Sequence, residues 1–411
     1  MILMKTDPES IASLPISYMV GDAQILSAIS EQKPLPPFAE RTIELLAALS
    51  GALRKNKRAH AMPDVAAFAF WCRRAALENM KGKYCRGKGR RLGRGVCIHF
   101  TPSNIPDLFA FSMSAGLLSG CSVILRLARK TSVQEDLICG ELKELLDTEF
   151  SDFKPRIVLC RYGHEKEITD LLCSMSDARV LWGSDESVND IKRSLLPARG
   201  VDLPFAARAS AAVISAKEVL GTDQLDLVAK AFYNDTYLND QNACSSPRIV
   251  YWMGSEEDTR KARDLFWGQM EALLKERGYQ VPAETAVRKL ESALILAAAC
   301  GAQKISGAGT SLVRVQIPKL SPQVWEHTAA GGLFIESRGQ DLAGLDSVLD
   351  KTCQTVCTVG VDEQLIADFV LEHRLSGVDR IVPVGHTLDF ALTWDGIDMI
   401  DAMSRTITGG R

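Results

Sequence analysis

Cys244 is the side chain of this sequence best placed to act as a nucleophile. It follows the polar run Asn239-Asp240-Gln241-Asn242-Ala243 and precedes Ser245-Ser246-Pro247, which puts it on an irregular loop among amide and hydroxyl groups. A structural cysteine normally sits among aliphatic side chains and is inert. A thiol on a polar loop is instead where reactive thiolates are held. The apolar, β-branched run Ile249-Val250-Tyr251-Trp252 follows at once and reads as the strand that anchors the loop. The other cysteines fall mostly in apolar runs and are read as inert. No CxxC pair and no Cys/His set has metal-ligand spacing, so no metal is expected.

The elements that must position this thiol alternate regularly. Gly95 to Phe100, Ser122 to Leu125, Arg156 to Cys160 and Arg179 to Trp182 read as buried strands. Helices separate them, one ending near Leu118 and others over Ser132–Leu146 and Glu165–Ser174. This rhythm predicts βαβ units and a mostly parallel sheet. Ligands of such sheets bind outside the carboxyl ends of the strands. A nucleotide site is therefore expected over Thr101, Pro102, Ser103, Arg126, Gly183 and Ser184. No GxGxxG follows any of these strands, so a standard dinucleotide fingerprint is not expected.

A second unit begins near Leu203, with a strand over Ala211–Ser215 and a helix over Asp223–Tyr233 leading into the Cys244 loop. Helices over Thr259–Arg277, Glu284–Ala302 and Gln340–Leu349 follow, with strands over Leu312–Ile317 and Gly332–Glu336. A strand and turn over Arg380–His386 come near the end. Residues 1 to 90 read as helical. The fold class is α/β, with two doubly wound, three-layer α/β/α domains for cofactor and catalysis. Residues 1–90 are taken as the helical start of the cofactor domain and 91–205 as its nucleotide-binding part. The catalytic domain spans 206–375, and 376–411 form a C-terminal segment returning to the domain interface.

Composition limits the function classes. A chain of 411 residues exceeds one ordinary core, and a net charge of −3 argues against a nucleic-acid binder. The uncharged stretch Leu108 to Leu125 is dotted with serine and glycine and reads as helix, turn and strand rather than a membrane span. Scattered cysteines and the absence of a leader-like start predict a cytoplasmic protein. The basic run Lys81 to Arg94 is read as a solvated loop, with attraction of an anionic ligand as the sharper alternative.

Three features together resemble the aldehyde dehydrogenase superfamily. They are the Pro102-Ser103-Asn104-Ile105-Pro106 turn, the cationic strand end Arg126, and Gln241-Asn242-Ala243-Cys244. Within it, the string Arg380-Ile-Val-Pro-Val-Gly-His386-Thr-Leu-Asp389-Phe-Ala-Leu-Thr-Trp394-Asp395-Gly396, with Gln354-Thr355-Val356, is similar to the LuxC-type acyl-CoA reductases. The resemblance implies an aldehyde dehydrogenase-like fold and reduction of an acyl thioester to an aldehyde by NADPH through an acyl-cysteine. It makes Cys244 the nucleophile, with the Asn104 side-chain amide and the Cys244 backbone N–H as oxyanion donors. Oxidising members carry a water-activating glutamate. The matching stretch here, Pro204-Phe-Ala-Ala-Arg-Ala-Ser210, has no carboxylate, which fits a reductase.

Members preferring NAD usually have an acidic residue a few places after the strand end. Arg129 stands there, and a guanidinium suits a 2′-phosphate, so NADPH is expected over NADH. His386 is read equally as a group of the active site or as a turn histidine, and is kept as a catalytic candidate. The acyl donor is left open among acyl-CoA, a carrier protein and a partner acyl-synthetase, and a homo-oligomer is an open expectation. Two other functions compete: an acyltransferase or thioesterase using Cys244 without a hydride step, and an inactive scaffold subunit of a multienzyme complex.

Overall fold

The computed structural model describes residues 8–102, 104–307 and 309–409. The chain forms two compact units, one running to Ala206 and taking in the residues from Leu392 onward, the other Ala207–Ala391. The expected C-terminal segment 376–411 is thus shared, its first part staying with the second unit and its last part joining the first.

In the first unit, β1 (Ser17–Val20) precedes β2 (Arg90–Gly93), β3 (Val96–Phe100), β4 (Ser122–Arg126), β5 (Ile157–Arg161), β6 (Ala178–Trp182) and β7 (Val201–Phe205). The sheet order is β1-β5-β4-β3-β6-β7, with β1 antiparallel to β5 and every other pairing parallel. Strands β3 and β6 are buried throughout because parallel strands are covered on both faces, which is why they read as unbroken apolar runs. One face packs Ile98, Ile124, Val158 and Leu181 against Leu26, Ile168 and Leu172. The chain winds from β3 through β4 to β5, then crosses to β6 on the other side of β3. The β3/β6 boundary is therefore the topological switch point where such sheets bind ligands.

The uncharged helix Leu108–Leu118 is buried along its whole length and is core. Among the described residues no helix is long and apolar enough to cross a membrane. The basic run is not the solvated loop expected. Its β2 part pairs antiparallel with the strand Ser404–Ile407. Lys88 lies 2.5 Å from Asp398 and 2.9 Å from Asp401, and Arg91 lies 2.6 Å from Asp401. Two of its charges, on Lys88 and Arg91, are thus paired with carboxylates of the chain's own C-terminal residues.

The second unit has β8 (Ala209–Ser215), β9 (Pro247–Met253), β10 (Lys304–Ser306), β11 (Val313–Gln316), β12 (Leu333–Gly339), β13 (Cys353–Val359) and β14 (Arg380–Pro383). They are ordered β10-β11-β12-β9-β8-β13-β14, parallel except at β10/β11. Alternate residues feed two cores. Val213, Ile249 and Tyr251 face Ala293 and Leu296 of the helix Ala283–Ala299. Ile214, Val250 and Trp252 face Phe232 of the helix Leu225–Thr236 and Phe266 of the helix Glu256–Glu276. The helix expected over 340–349 is only a 3-10 turn, Ala343–Leu345. Strand β13 and the helix Glu363–His373 were not anticipated.

Candidate active site

Cys244 lies in the loop between the helix Leu225–Thr236 and β9, half-buried, whereas eight other cysteines are fully buried. Burial pushes the thiols of Cys72, Cys139, Cys160 and Cys353 up to about 12, so they stay protonated and unreactive. The loop is held in an uncommon shape. Asp240 and Gln241 both have left-handed backbones, with φ of 50° and 58°. The buried Gln241 amide fixes it, donating to Pro247 O at 2.8 Å and Leu333 O at 3.2 Å and accepting from Gly332 N at 2.9 Å. Gln241, read from sequence only as part of a motif, is the brace of the Cys244 loop.

Four adjacent strands bring a side chain each to this loop from their N-terminal ends. On β8, Ser210 Oγ donates to Cys244 O at 2.8 Å. On β13, Gln354 Nε2 reaches Cys244 Sγ at 3.4 Å. From β9 comes Arg248, a buried guanidinium that donates to Gln241 O at 3.0 Å. On β14, Arg380 is paired in register with Thr355, the neighbour of Gln354. Burial lowers the pKa of both arginines and charge on Cys244 acts in the opposite sense on each, although on Arg380 the carboxylates of Asp389 and Asp235 act in that sense more strongly than Cys244 does. Among the described residues no carboxylate pairs with Arg248.

Arg380 is held by three carbonyls, those of Thr387 (2.7 Å), His386 (2.7 Å) and Asp389 (2.8 Å). The turn supplying them is fixed by Asp235, whose buried carboxylate accepts from Gly385 N at 2.6 Å and Thr387 N at 3.0 Å. The Asp235 carbonyl also accepts from Ser246 Oγ at 2.7 Å, two residues after Cys244. Desolvation raises the Asp235 pKa, opposed by these backbone donors. The His386 imidazole is 57% exposed and bonds Asp389 at 2.8 Å, so its backbone carbonyl, not its ring, reaches inward to Arg380.

A cavity of about 640 Å³ opens beside the loop, lined by Asn242, Arg248, Arg208, Arg288, Trp325 and Glu291 among others. Glu291, the one carboxylate in its lining, is exposed. Arg208 is tied to Asp379 and to Cys353 O, both at 2.9 Å. Sequence reasoning missed Ser210, Arg248, Gln354, Arg380 and Asp235. Gln354 and Arg380 lay within the strings that carried the family resemblance, but without a role.

In the first unit, the expected nucleotide-site residues gather at the C-terminal ends of β3, β4 and β6. Thr101 caps β3 by donating from N and Oγ1 to Arg126 O, both at 3.3 Å. Pro102 is half-buried and Asn104 exposed on the same loop, while Ser103 lies outside the described residues. Arg126 donates to Gly163 O at 3.2 Å, and its guanidinium lies 5.5 Å from the Tyr162 ring centre. Arg129 is exposed on the loop after β4. Gly183 follows β6. A Cβ there would meet only Ser187 Cβ at 3.4 Å, so the chain's own packing does not demand the glycine. Ser184 is engaged as the cap of the helix Asp185–Ile191, accepting from Ser187 N at 3.2 Å.

His99 is a core residue, bonded to Ser112 Oγ at 2.7 Å, and desolvation lowers its pKa to about 3. Glu336 is likewise structural, accepting from the indoles of Trp252 and Trp267 at 2.8 and 2.7 Å in the core of the second unit. Among the described residues no group of three or more candidate ligands could hold a metal ion.

Comparison with solved structures shows the aldehyde dehydrogenase fold. A lactaldehyde dehydrogenase is 13% identical, with 93% of this chain and 89% of that one aligned at a TM-score of 0.66. A 1-pyrroline-5-carboxylate dehydrogenase from Thermus with bound NAD is 14% identical, covering 93% and 82% at 0.63. A 3,6-anhydro-L-galactose dehydrogenase in complex with NAP, the NADP dinucleotide, is 13% identical, covering 92% and 83% at 0.61. No curated protein sequence matches the chain significantly. The profile of the acyl-CoA reductase (LuxC) family, however, matches residues 41–293, more than half of the chain and including the Cys244 loop. This chain belongs to the acyl-CoA reductase (LuxC) family.

Proposed function

We propose that the protein reduces an acyl thioester, either an acyl-CoA or an acyl group on a carrier or synthetase partner, to an aldehyde with NADPH through an acyl-cysteine on Cys244. The observation that carries this reading is the setting of Cys244. It is a half-buried thiol with an amide donor on its sulfur and two guanidinium groups in electrostatic reach, in a chain of an acyl-CoA reductase family. Such surroundings favour the thiolate.

In this mechanism the Cys244 sulfur bonds to the acyl carbon and the bond to the donor sulfur breaks, releasing the donor as a thiol with a proton from solvent. The Asn104 amide and the Cys244 N–H are the proposed donors to the oxyanion. NADPH, when bound, supplies the hydride that converts the acyl-cysteine to a thiohemiacetal. Cleavage of its C–S bond then releases aldehyde and returns Cys244 as thiolate. The 204–210 stretch offers no carboxylate to activate water, so the acyl-enzyme persists for reduction.

A nicotinamide cofactor is supported by the NAD and NADP bound in structures of the same fold. The C-terminal edge of the first sheet suits a dinucleotide. It has the switch point, the exposed Arg129, and a glycine after β6 that the fold itself does not require. Glu135, the nearest downstream carboxylate, is buried against Arg161 and the Ser132 cap and is not available to a ribose. Arg126, Thr101, Pro102, Ser103, Gly183 and Ser184 complete the proposed cofactor set.

The test is loss of NADPH absorbance on adding acyl-CoAs of graded length, with Cys244→Ala as control. Oxidation dependent on both the thioester and Cys244 is expected. A Cys244-dependent acyl adduct without any NADPH oxidation, with each donor class supplied, would overturn the reductase in favour of acyl transfer.

A further inference from the structure

We propose that Lys289 is a positioning residue for Cys244: its buried amine pins the turn over residues 328–332, which in turn holds the backbone of the Cys244 loop. The proposal rests on Cys244 being the nucleophile. The loop needs an outside hold because Asp240 and Gln241 both carry left-handed backbones, a conformation that residues with a Cβ keep only where their surroundings impose it. The hold comes from two glycines. Gly331 N donates to Asp240 O at 2.9 Å, and Gly332 N donates to Gln241 Oε1 at 2.9 Å, so each left-handed residue of the loop is met by one of them. Both glycines are left-handed themselves, with φ of 74° and 91°. A Cβ would lie 2.6 Å from Thr285 Cγ2 on the first and 2.3 Å from Ser311 O on the second, so the turn fits its place only with glycine at both positions.

Lys289, on the helix Ala283–Ala299, supplies the pin. It is 1% exposed, and its Nζ donates to Thr310 O at 2.6 Å and to Gly331 O. One amine thus joins the helix, the loop entering β11 and the turn. Among the described residues no carboxylate pairs with Lys289, and desolvation lowers its pKa to about 8. An amine buried without a counter-ion opposes folding, which an apolar side chain of that length would not do. Its return is a pair of charge-assisted bonds to carbonyls, stronger than neutral ones and directional. The pinned turn also carries Thr328, Ala329 and Ala330, which line the same cavity as Asn242 and Arg248 at the Cys244 loop. A displaced turn would therefore reshape both that cavity and the backbone three residues ahead of Cys244.

The experiment compares full-length wild type with Lys289→Met by amide hydrogen exchange and steady-state kinetics. In the variant, amides in residues 239–246 and 328–333 should exchange at least about tenfold faster, while those of β8 keep wild-type rates. The kcat for thioester reduction should fall about tenfold to a hundredfold, because a nucleophile displaced by about an ångström loses its line of attack. KM for NADPH, whose proposed site is in the first unit, should stay within about twofold. In Lys289→Ala, propylammonium should restore kcat toward the wild-type value and 1-propanol should not, since only the first replaces the cationic donor. An apolar groove of about 500 Å³ beside Lys289, lined by Ala286, Leu290 and Val313 among others, gives it access. Wild-type exchange across the Cys244 loop of Lys289→Met would overturn the proposal, as would an unchanged kcat in a variant whose loop exchanges faster. If Lys289→Met does not fold, Lys289→Gln, which keeps an N–H donor, is read by the same criteria, and unprotected amides over 328–333 in the wild type refute the tie by themselves. Exchange needs neither NADPH nor acyl donor, so a loosened loop in a protein that oxidises no NADPH would remove the reductase reading and leave the hold of Lys289 on the loop standing.

Discussion

Arg129→Ala should change cofactor choice while leaving the fold untouched. Arg129 is exposed on the loop after β4, and among the described residues it has no ion pair, so truncation breaks no native ion pair. A surface change of this kind alters stability by no more than about 0.5 kcal/mol. What it removes is the guanidinium proposed to face the 2′-phosphate. Hydrogen bonds to charged groups contribute about 1.5–3 kcal/mol, and solvent screening at an exposed site favours the lower end. At 1.4 kcal/mol per tenfold, KM for NADPH should rise about tenfold and up to about a hundredfold. KM for NADH, which has no such phosphate, should stay where it is. Glu135 cannot compensate because Arg161 and the Ser132 backbone already engage it. The assay is steady-state oxidation of each cofactor at fixed acyl-CoA, repeated at low and high salt, since a charge contact weakens with ionic strength. An unchanged NADPH-to-NADH ratio in the variant would refute the assignment, as would a wild-type enzyme that prefers NADH.

Asn104→Ala should lower kcat by roughly 10²–10³ with little change in KM if its amide stabilises the oxyanion; an unchanged kcat would remove it from the mechanism. Buried His99, held neutral with a folded pKa of about 3 against 6.5 in the unfolded chain, should make the protein sensitive to acid. The unfolded chain takes up the extra proton below 6.5, so stability is lost as pH falls from 6.5 toward 3 and amounts to about 2 kcal/mol between pH 7 and pH 5. Urea midpoints for the first unit in wild type and His99→Gln should show this slope only in the wild type, and equal slopes would contradict it.

The parallel strands were legible wherever burial on both faces made them continuous apolar runs, as in Val96–Phe100 and Ala178–Trp182. Strand β13 was not, because its fully buried sequence Cys-Gln-Thr-Val-Cys-Thr-Val interrupts the apolar run with polar residues, and groups on it are met by residues far away in sequence. Thr355 N, for example, donates to Ser210 Oγ at 3.2 Å, 145 residues away in sequence. Edge strand β1 was hidden for the opposite reason, since only Val20 of its four residues is buried. The same distinction governs the site. The candidate nucleophile Cys244 stood out through its local surroundings, whereas Arg248, Gln354 and Arg380 acquire meaning only through strand register. The basic run 81–94 misled because its partners, Asp398 and Asp401, lie some 310 residues downstream.

The placement of the thiol at the N-terminal ends of β8, β9, β13 and β14 bears on why a reductase would do without a general base. An oxidising enzyme must deprotonate water against an acyl-cysteine, and that requires a carboxylate close to the sulfur. Here the strand ends present two guanidinium groups, an amide and a hydroxyl. The one carboxylate lining the adjacent cavity, Glu291, is exposed on the helix Ala283–Ala299. In the proposed mechanism, cations in electrostatic reach of the sulfur would favour each state in which it carries negative charge, before attack and after aldehyde release, and would do nothing to make hydroxide from water. Such a charge distribution would, in that mechanism, select against hydrolysis, leaving transfer to a thiol or capture of hydride as the routes out of the acyl-enzyme.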